Sequence, residues 1–203
     1  MNGTLSRREM MMGSAALAAL AALSTPGIAR AAVAARVGDF LPVGGPVLAP
    51  ELMPQVVRVR RDLEPGSIIV LSDRFHLYHI SSPGVAIRYG VAVGRAELKF
   101  RGTAEVARKV EWPSWKPTPE MIERSPGHYA KYADGMPGGP NNPLGARALY
   151  LYQNGHDTAI RIHGTVEPQS IGSAVSNGCI RMVNEHVIDL YSRVAIGTPV
   201  TVF

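Results

Sequence analysis

The chain has 203 residues, enough for one domain with a buried core and too few for two of ordinary size. At 46% hydrophobic, 18% charged and 6% aromatic it is neither disordered nor collagen-like, and a formal charge of +5 without dense basic clusters argues against nucleic acid as a partner. One cysteine, Cys179, excludes an intramolecular disulfide, paired CxxC redox motifs and multi-cysteine zinc sites.

Residues 1–31 read as a signal peptide. Arg7-Arg8 precedes an apolar stretch from Met10 to Leu23, and Ala29-Arg30-Ala31 supplies small residues for cleavage. The apolar run, about 14 residues, falls short of the roughly 20 a membrane-spanning helix needs, so a retained anchor is the weaker alternative. The adjacent arginines resemble the twin-arginine signals of bacteria, which implies export and a periplasmic or cell-envelope location. No cysteine lies near the apolar stretch to take a lipid, so no stable membrane anchor is expected.

Residues 32–54 carry Pro42, Pro46, Pro50 and Pro54 among Gly38, Gly44 and Gly45, with no sustained period, and read as a linker or extended arm. A domain is expected over 55–203. Strand candidates follow at Val56–Val59, Ser67–Leu71, Phe75–Ile80 and Val85–Val93, then Phe100–Val110 with Gly102 inside it. Leu149–Gln153 and Thr158–His163 flank Asn154-Gly155, a strong hairpin signal. Asn184 reads as the N-cap of a helix over Glu185–Val194, with Val187, Ile188, Leu190, Tyr191 and Val194 at helical spacing. Val200–Phe203 closes the chain as a strand. The pattern predicts a mainly β, antiparallel fold with one or two short helices.

Between Trp112 and Pro143 lie seven of the 16 prolines, together with Trp115, Tyr129 and Tyr132. A loop of that length in a compact domain points to an active-site lid or groove wall, or to an elaborated surface loop.

Cys179 is a free thiol in a chain expected to meet an oxidising compartment, so it is either buried as a small hydrophobe or used. In Ser176-Asn177-Gly178-Cys179-Ile180-Arg181 the glycine before the sulfur gives a tight turn whose N–H groups can converge on an oxyanion. Arg181 adds positive charge that can favour thiolate or hold a substrate carboxylate. A cysteine nucleophile needs a base. In Ile160-Arg161-Ile162-His163-Gly164 the period of two sets His163 on the face opposite Ile160 and Ile162, at a strand end outside any apolar stack. His156 and His186 read as solvent-facing, and His76 and His79 fall on opposite faces of one strand, which argues against a shared metal. A zinc site from His163, Cys179 and a third group has no HExxH or ligand cluster behind it.

Ile162-His163-Gly164-Thr165 followed by Ser176-Asn177-Gly178-Cys179-Ile180-Arg181-Met182 resembles the signature of the L,D-transpeptidases, the YkuD-type catalytic domain. Pro65 to Val70, Arg88 to Gly94 and Asn142 to Leu151 resemble further segments of that family, so the likeness runs over roughly 55–203. The resemblance implies a β-sandwich catalytic domain. It also implies Cys179 as nucleophile, His163 as general base, the Gly164 carbonyl as the group that orients the imidazole, and the N–H groups of Gly178 and Cys179 as oxyanion donors. Ser176, Asn177 and Arg181 take substrate-binding or turn-shaping positions.

Two departures stand out: many members carry a second histidine where this chain has Asn177, and an asparagine where it has Arg181. The implied substrate is a peptidoglycan stem tetrapeptide, the product a thioester resolved by an amine. The resemblance leaves three classes of acceptor open: another stem's diaminopimelate, a lysine of an outer-membrane protein, or water in a carboxypeptidase variant. Acylation by carbapenems is implied too, and no cofactor is, since a cysteine and a histidine suffice. A non-catalytic cell-wall binding module is the rival from another class, and it has no need of either residue.

Overall fold

A computed structural model describes residues 48–203. The proposed signal peptide, 1–31, and most of the 32–54 segment lie outside the described residues.

The strands arise where β-branched runs meet turn residues, and their order in chain is β1 Gln55–Arg58, β2 Ile68–Leu71, β3 His76–Ser82, β4 Val85–Gly90, β5 Val93–Gly94 and β6 Gly102–Glu111. After helices α1 Pro119–Arg124 and α2 Pro126–Tyr129 come β7 Arg147–Gln153, β8 His156–His163, β9 Ala174–Ser176 and β10 Ile180–Arg181. Helix α3, Asn184–Arg193, and strand β11, Pro199–Val202, end the chain. Nine strands form one sheet in the order β1-β4-β3-β2-β11-β6-β7-β8-β10, and β5 pairs with β9 in a second. The domain is mainly β, as its sequence predicts.

The expectation of antiparallel pairing throughout is corrected by three parallel pairs, β11 with β2, β10 with β8 and β5 with β9. The C-terminal strand runs through the middle of the sheet rather than along its edge. Its Val200 and Val202 join Ile68, Val70, Leu77, Leu149, Leu151 and Ile162 in the main core, which α3 covers with Val187, Leu190 and Val194. A smaller cluster of Ala92, Ile171 and Val183 is capped by Leu48 and Leu52.

Helix α3 corrects three details. Asn184 is its first residue rather than its cap, Val183 stands at the cap position with no side-chain bond, and the Asn184 Oδ1 accepts from Ala146 N–H at 3.0 Å instead. Ile188 is 42% exposed, and His186, expected in solvent, is buried at 3% exposure in its place. Residues 183, 186–187, 190 and 194 thus form the inward stripe.

The Pro-rich stretch also contains structure that its composition concealed. Pro119 occupies the first turn of α1, where no N–H is required, and the Thr118 hydroxyl accepts from Met121 N–H at 3.3 Å, so one-turn helices form inside a segment read as a loop. With α3 these make three α-helices among the described residues rather than one or two.

Candidate active site

The site is assembled by the pairing of β8 with β10. Ile180 lies opposite Ile162 and Arg181 opposite His163, and the Met182 N–H donates to the His163 carbonyl at 2.8 Å. On its other side the same segment exchanges two hydrogen bonds with Ala92, at 2.8 and 2.9 Å. The turn that carries Cys179 is therefore fixed at its exit between two elements that are remote in sequence.

Within the turn, the Ser176 hydroxyl donates to the Cys179 carbonyl at 2.5 Å and accepts from Gly178 N–H at 3.2 Å. Gly178 has φ +118°, and a side chain there would press on Leu98 O and on Ile160, so only glycine fits. The pairing of Gly178 and Cys179 as joint oxyanion donors meets a constraint here, because the Gly178 N–H is directed at Ser176. The Cys179 N–H has no partner among the described residues.

Cys179 is half-buried, and its sulfur lies against β8, 3.8 Å from the Ala159 carbonyl. Ala159 takes a left-handed φ of +59°, which turns that carbonyl out of the ladder, and its N–H is held by Asp157 Oδ1 at 2.8 Å. Burial pushes the Cys179 thiol up, while the main chain of Arg161 and the charges of Arg161 and Arg181 pull it down.

His163 is buried at 4% exposure, a correction to its expected place outside apolar surroundings. Burial pushes its pKa down to about 4, the carbonyls of Gly164 and Leu144 oppose the shift, and Arg181 and Arg161 add to it. The same two guanidinium groups thus act on both the thiol and the imidazole. His163 Nδ1 stands 2.5 Å from the Gly164 carbonyl. A carbonyl only accepts, so Nδ1 carries the proton and Nε2 is left with its lone pair. Burial thus favours the neutral form of both groups, raising the thiol and lowering the imidazole.

Gly164 is steric as well as polar: a methyl group there would collide with Asn184 Oδ1. Behind the histidine, buried Asn142 donates to the carbonyls of Met136 and Pro137 and accepts from Leu144 N–H, tying the end of the Pro-rich stretch to the loop under the ring.

The remaining candidates divide. Arg181 is ion-paired, its Nη1 donating to Glu167 Oε2 at 2.7 Å. Asn177 faces the Pro-rich segment: its Oδ1 accepts from Arg124 Nη2 at 3.0 Å and its Nδ2 donates to the Tyr129 hydroxyl at 2.9 Å. Tyr129 packs beside Trp115, with ring centroids 6.2 Å apart, and Trp115 against Tyr132 at 5.6 Å. Sequence reasoning missed Arg124, which lies 53 residues from Asn177 and carries no local signal. Among the described residues no group of three or more His, Cys, Asp or Glu is arranged to hold a metal ion.

The YkuD family, described as the L,D-transpeptidase catalytic domain, matches residues 65–202. The chain belongs to this family. A Fuscovulum blasticum protein bearing an L,D-transpeptidase name, from the ATP synthase subunits region, is 35% identical over the whole of both chains. The chain spans about half the length of the Escherichia coli relatives it matches. A solved Brucella melitensis structure named as a probable carnitine operon oxidoreductase, caia, is 52% identical, with a TM-score of 0.53 over 74% of this chain and 93% of that one. An L,D-transpeptidase of Enterococcus faecium shares the fold, at 20% identity and a TM-score of 0.52 over 70% of this chain and 50% of that one. The Brucella name points to redox chemistry, whereas the family match and the curated relatives point to L,D-transpeptidases.

Proposed function

We propose that the chain is an exported cysteine L,D-transpeptidase acting on peptidoglycan stem tetrapeptides in the cell envelope. Residues 1–31 serve as its twin-arginine signal, 32–54 as a linker whose last residues, through Leu48 and Leu52, pack onto the domain, and 55–203 as the catalytic domain. The observation that carries the reading is the oriented imidazole: His163 Nδ1 donates to Gly164 O, leaving Nε2 as a base, on the strand beside the Cys179 turn.

In this reaction Nε2 takes the thiol proton as the sulfur attacks the carbonyl carbon of the stem's third residue. The tetrahedral oxyanion is met by the Cys179 N–H. The C–N bond to the terminal D-alanine breaks, its nitrogen leaves with the proton from His163, and a thioester remains. An acceptor amine then attacks the thioester carbon, His163 takes its proton, and the sulfur leaves to be reprotonated. The acceptor is a second stem's side-chain amine or a protein lysine.

Intact mass after incubation with a carbapenem tests the nucleophile. One stoichiometric adduct on the reduced wild type and none on Cys179→Ala is expected, followed by D-alanine release from a stem tetrapeptide. Folded, reduced protein that takes no adduct overturns the reading.

A further inference from the structure

The cations around the turn are not equivalent. Arg161 is paired with Asp157 through two bonds of 2.6 and 2.8 Å and lies over the Tyr150 ring. Arg181 is paired with Glu167, and Lys131 lies over the Tyr132 ring. Arg124, exposed at the end of α1, forms no ion pair among the described residues. Glu120, one turn back, feels its charge but is hydrogen-bonded to Thr118. Arg124 reaches the turn through a neutral amide, two residues from Cys179. Arginine only donates, so this contact fixes the Asn177 oxygen towards Arg124 and leaves further guanidinium N–H groups without an acceptor among the described residues.

We infer that Arg124 binds the C-terminal carboxylate of the donor peptide, so that the enzyme selects stems ending in a free acid. The inference rests on the transpeptidase reading and gives its substrate a recognition element. The carboxylate lies one residue beyond the scissile carbonyl, about 3.8 Å of chain, and the Asn177 that Arg124 contacts lies two residues before the sulfur. Arg181, the residue first considered for an anionic group, is already neutralised, whereas Arg124 is not. A bidentate guanidinium–carboxylate contact is the strong form of such recognition.

The test compares a tetrapeptide ending in D-alanine with the same peptide ending in D-alaninamide, with the released amine followed by mass spectrometry. Wild type is expected to favour the acid by roughly ten- to hundredfold in kcat/KM, the usual worth of a hydrogen bond to a charged group. Arg124→Gln is expected to lose that preference chiefly through KM, because the carboxylate is bound before and during attack alike. Arg124→Lys should keep part of it. Alkylation of Cys179 by neutral iodoacetamide should proceed equally in all three proteins. Equal losses on both peptides, no loss on either, or slowed alkylation in Arg124→Gln overturns the inference while the transpeptidase reading stands. A wild type that releases neither amine overturns both.

Discussion

The domain buries histidines in two regions, and the regions treat them differently. At the β8–β10 end, His163 has a carbonyl on Nδ1. Where α3 packs on the sheet, His79 of β3 and His186 of α3 are buried at 6% and 3% exposure with no hydrogen-bond partner on any ring nitrogen. In both regions burial is the largest cause that drives the histidine down to about 4. A low pKa therefore marks desolvation and does not identify a base. What separates His163 is orientation: its Nδ1 is held by the Gly164 carbonyl, on the strand that pairs with the segment leaving the Cys179 turn.

The largest expected effect follows directly. His163→Gln keeps a polar side chain but removes the base, and carbapenem acylation should slow by about 10²- to 10⁴-fold, with little change in thermal midpoint. His79→Leu should leave acylation within about twofold, because replacing unpaired buried polar atoms by apolar ones is close to neutral. Equal losses in the two variants would break the comparison.

Acid sharpens it next. The folded-state values lie below that of the unfolded chain, so the stability the neutral rings contribute is complete above about pH 6.5 and is lost as pH falls towards 4. The loss reaches on the order of 3 kcal/mol for each histidine once pH is below 4. His79→Leu and His186→Leu should each move the acid-unfolding midpoint to lower pH, read by circular dichroism. An unchanged midpoint in both would show that other groups govern acid unfolding.

Why one region was legible and the other was not follows from range. The strand runs, the Asn154-Gly155 hairpin and the His163 and Cys179 motifs are local patterns, and the structure has strands at nearly the expected residues. The burial of His186 was not legible, because the α3 stripe could be drawn through Ile188 as easily as through His186 until the sheet beneath supplied its direction. The parallel pairing of β8 with β10, which sets His163 beside the turn, joins segments with no shared local signal. The pairing of Arg181 with Glu167 and the contact of Arg124 with Asn177 likewise join residues apart in sequence, so neither partner is visible in the local pattern.

The smallest predicted effect concerns how the oriented histidine is supported from the α3 side. Asn184 Oδ1 is the acceptor for the Ala146 N–H, and Ala146 is buried at 2% exposure. The same oxygen abuts Gly145 and Gly164, so one atom closes the loop before β7 and braces the peptide whose carbonyl holds His163. Asn184→Ala leaves the Ala146 N–H without a partner and should destabilise the fold by about 1–3 kcal/mol, measured by urea unfolding. Asn184→Asp retains the acceptor and adds a negative charge in the first turn of α3, where the helix dipole favours it, so it should recover most of that loss. If the alanine variant is as stable as wild type while acylation falls, Asn184 acts only through Gly164. If both fall together and aspartate restores both, the same contact supports the fold and the imidazole, which the unpartnered histidines where α3 packs on the sheet do without.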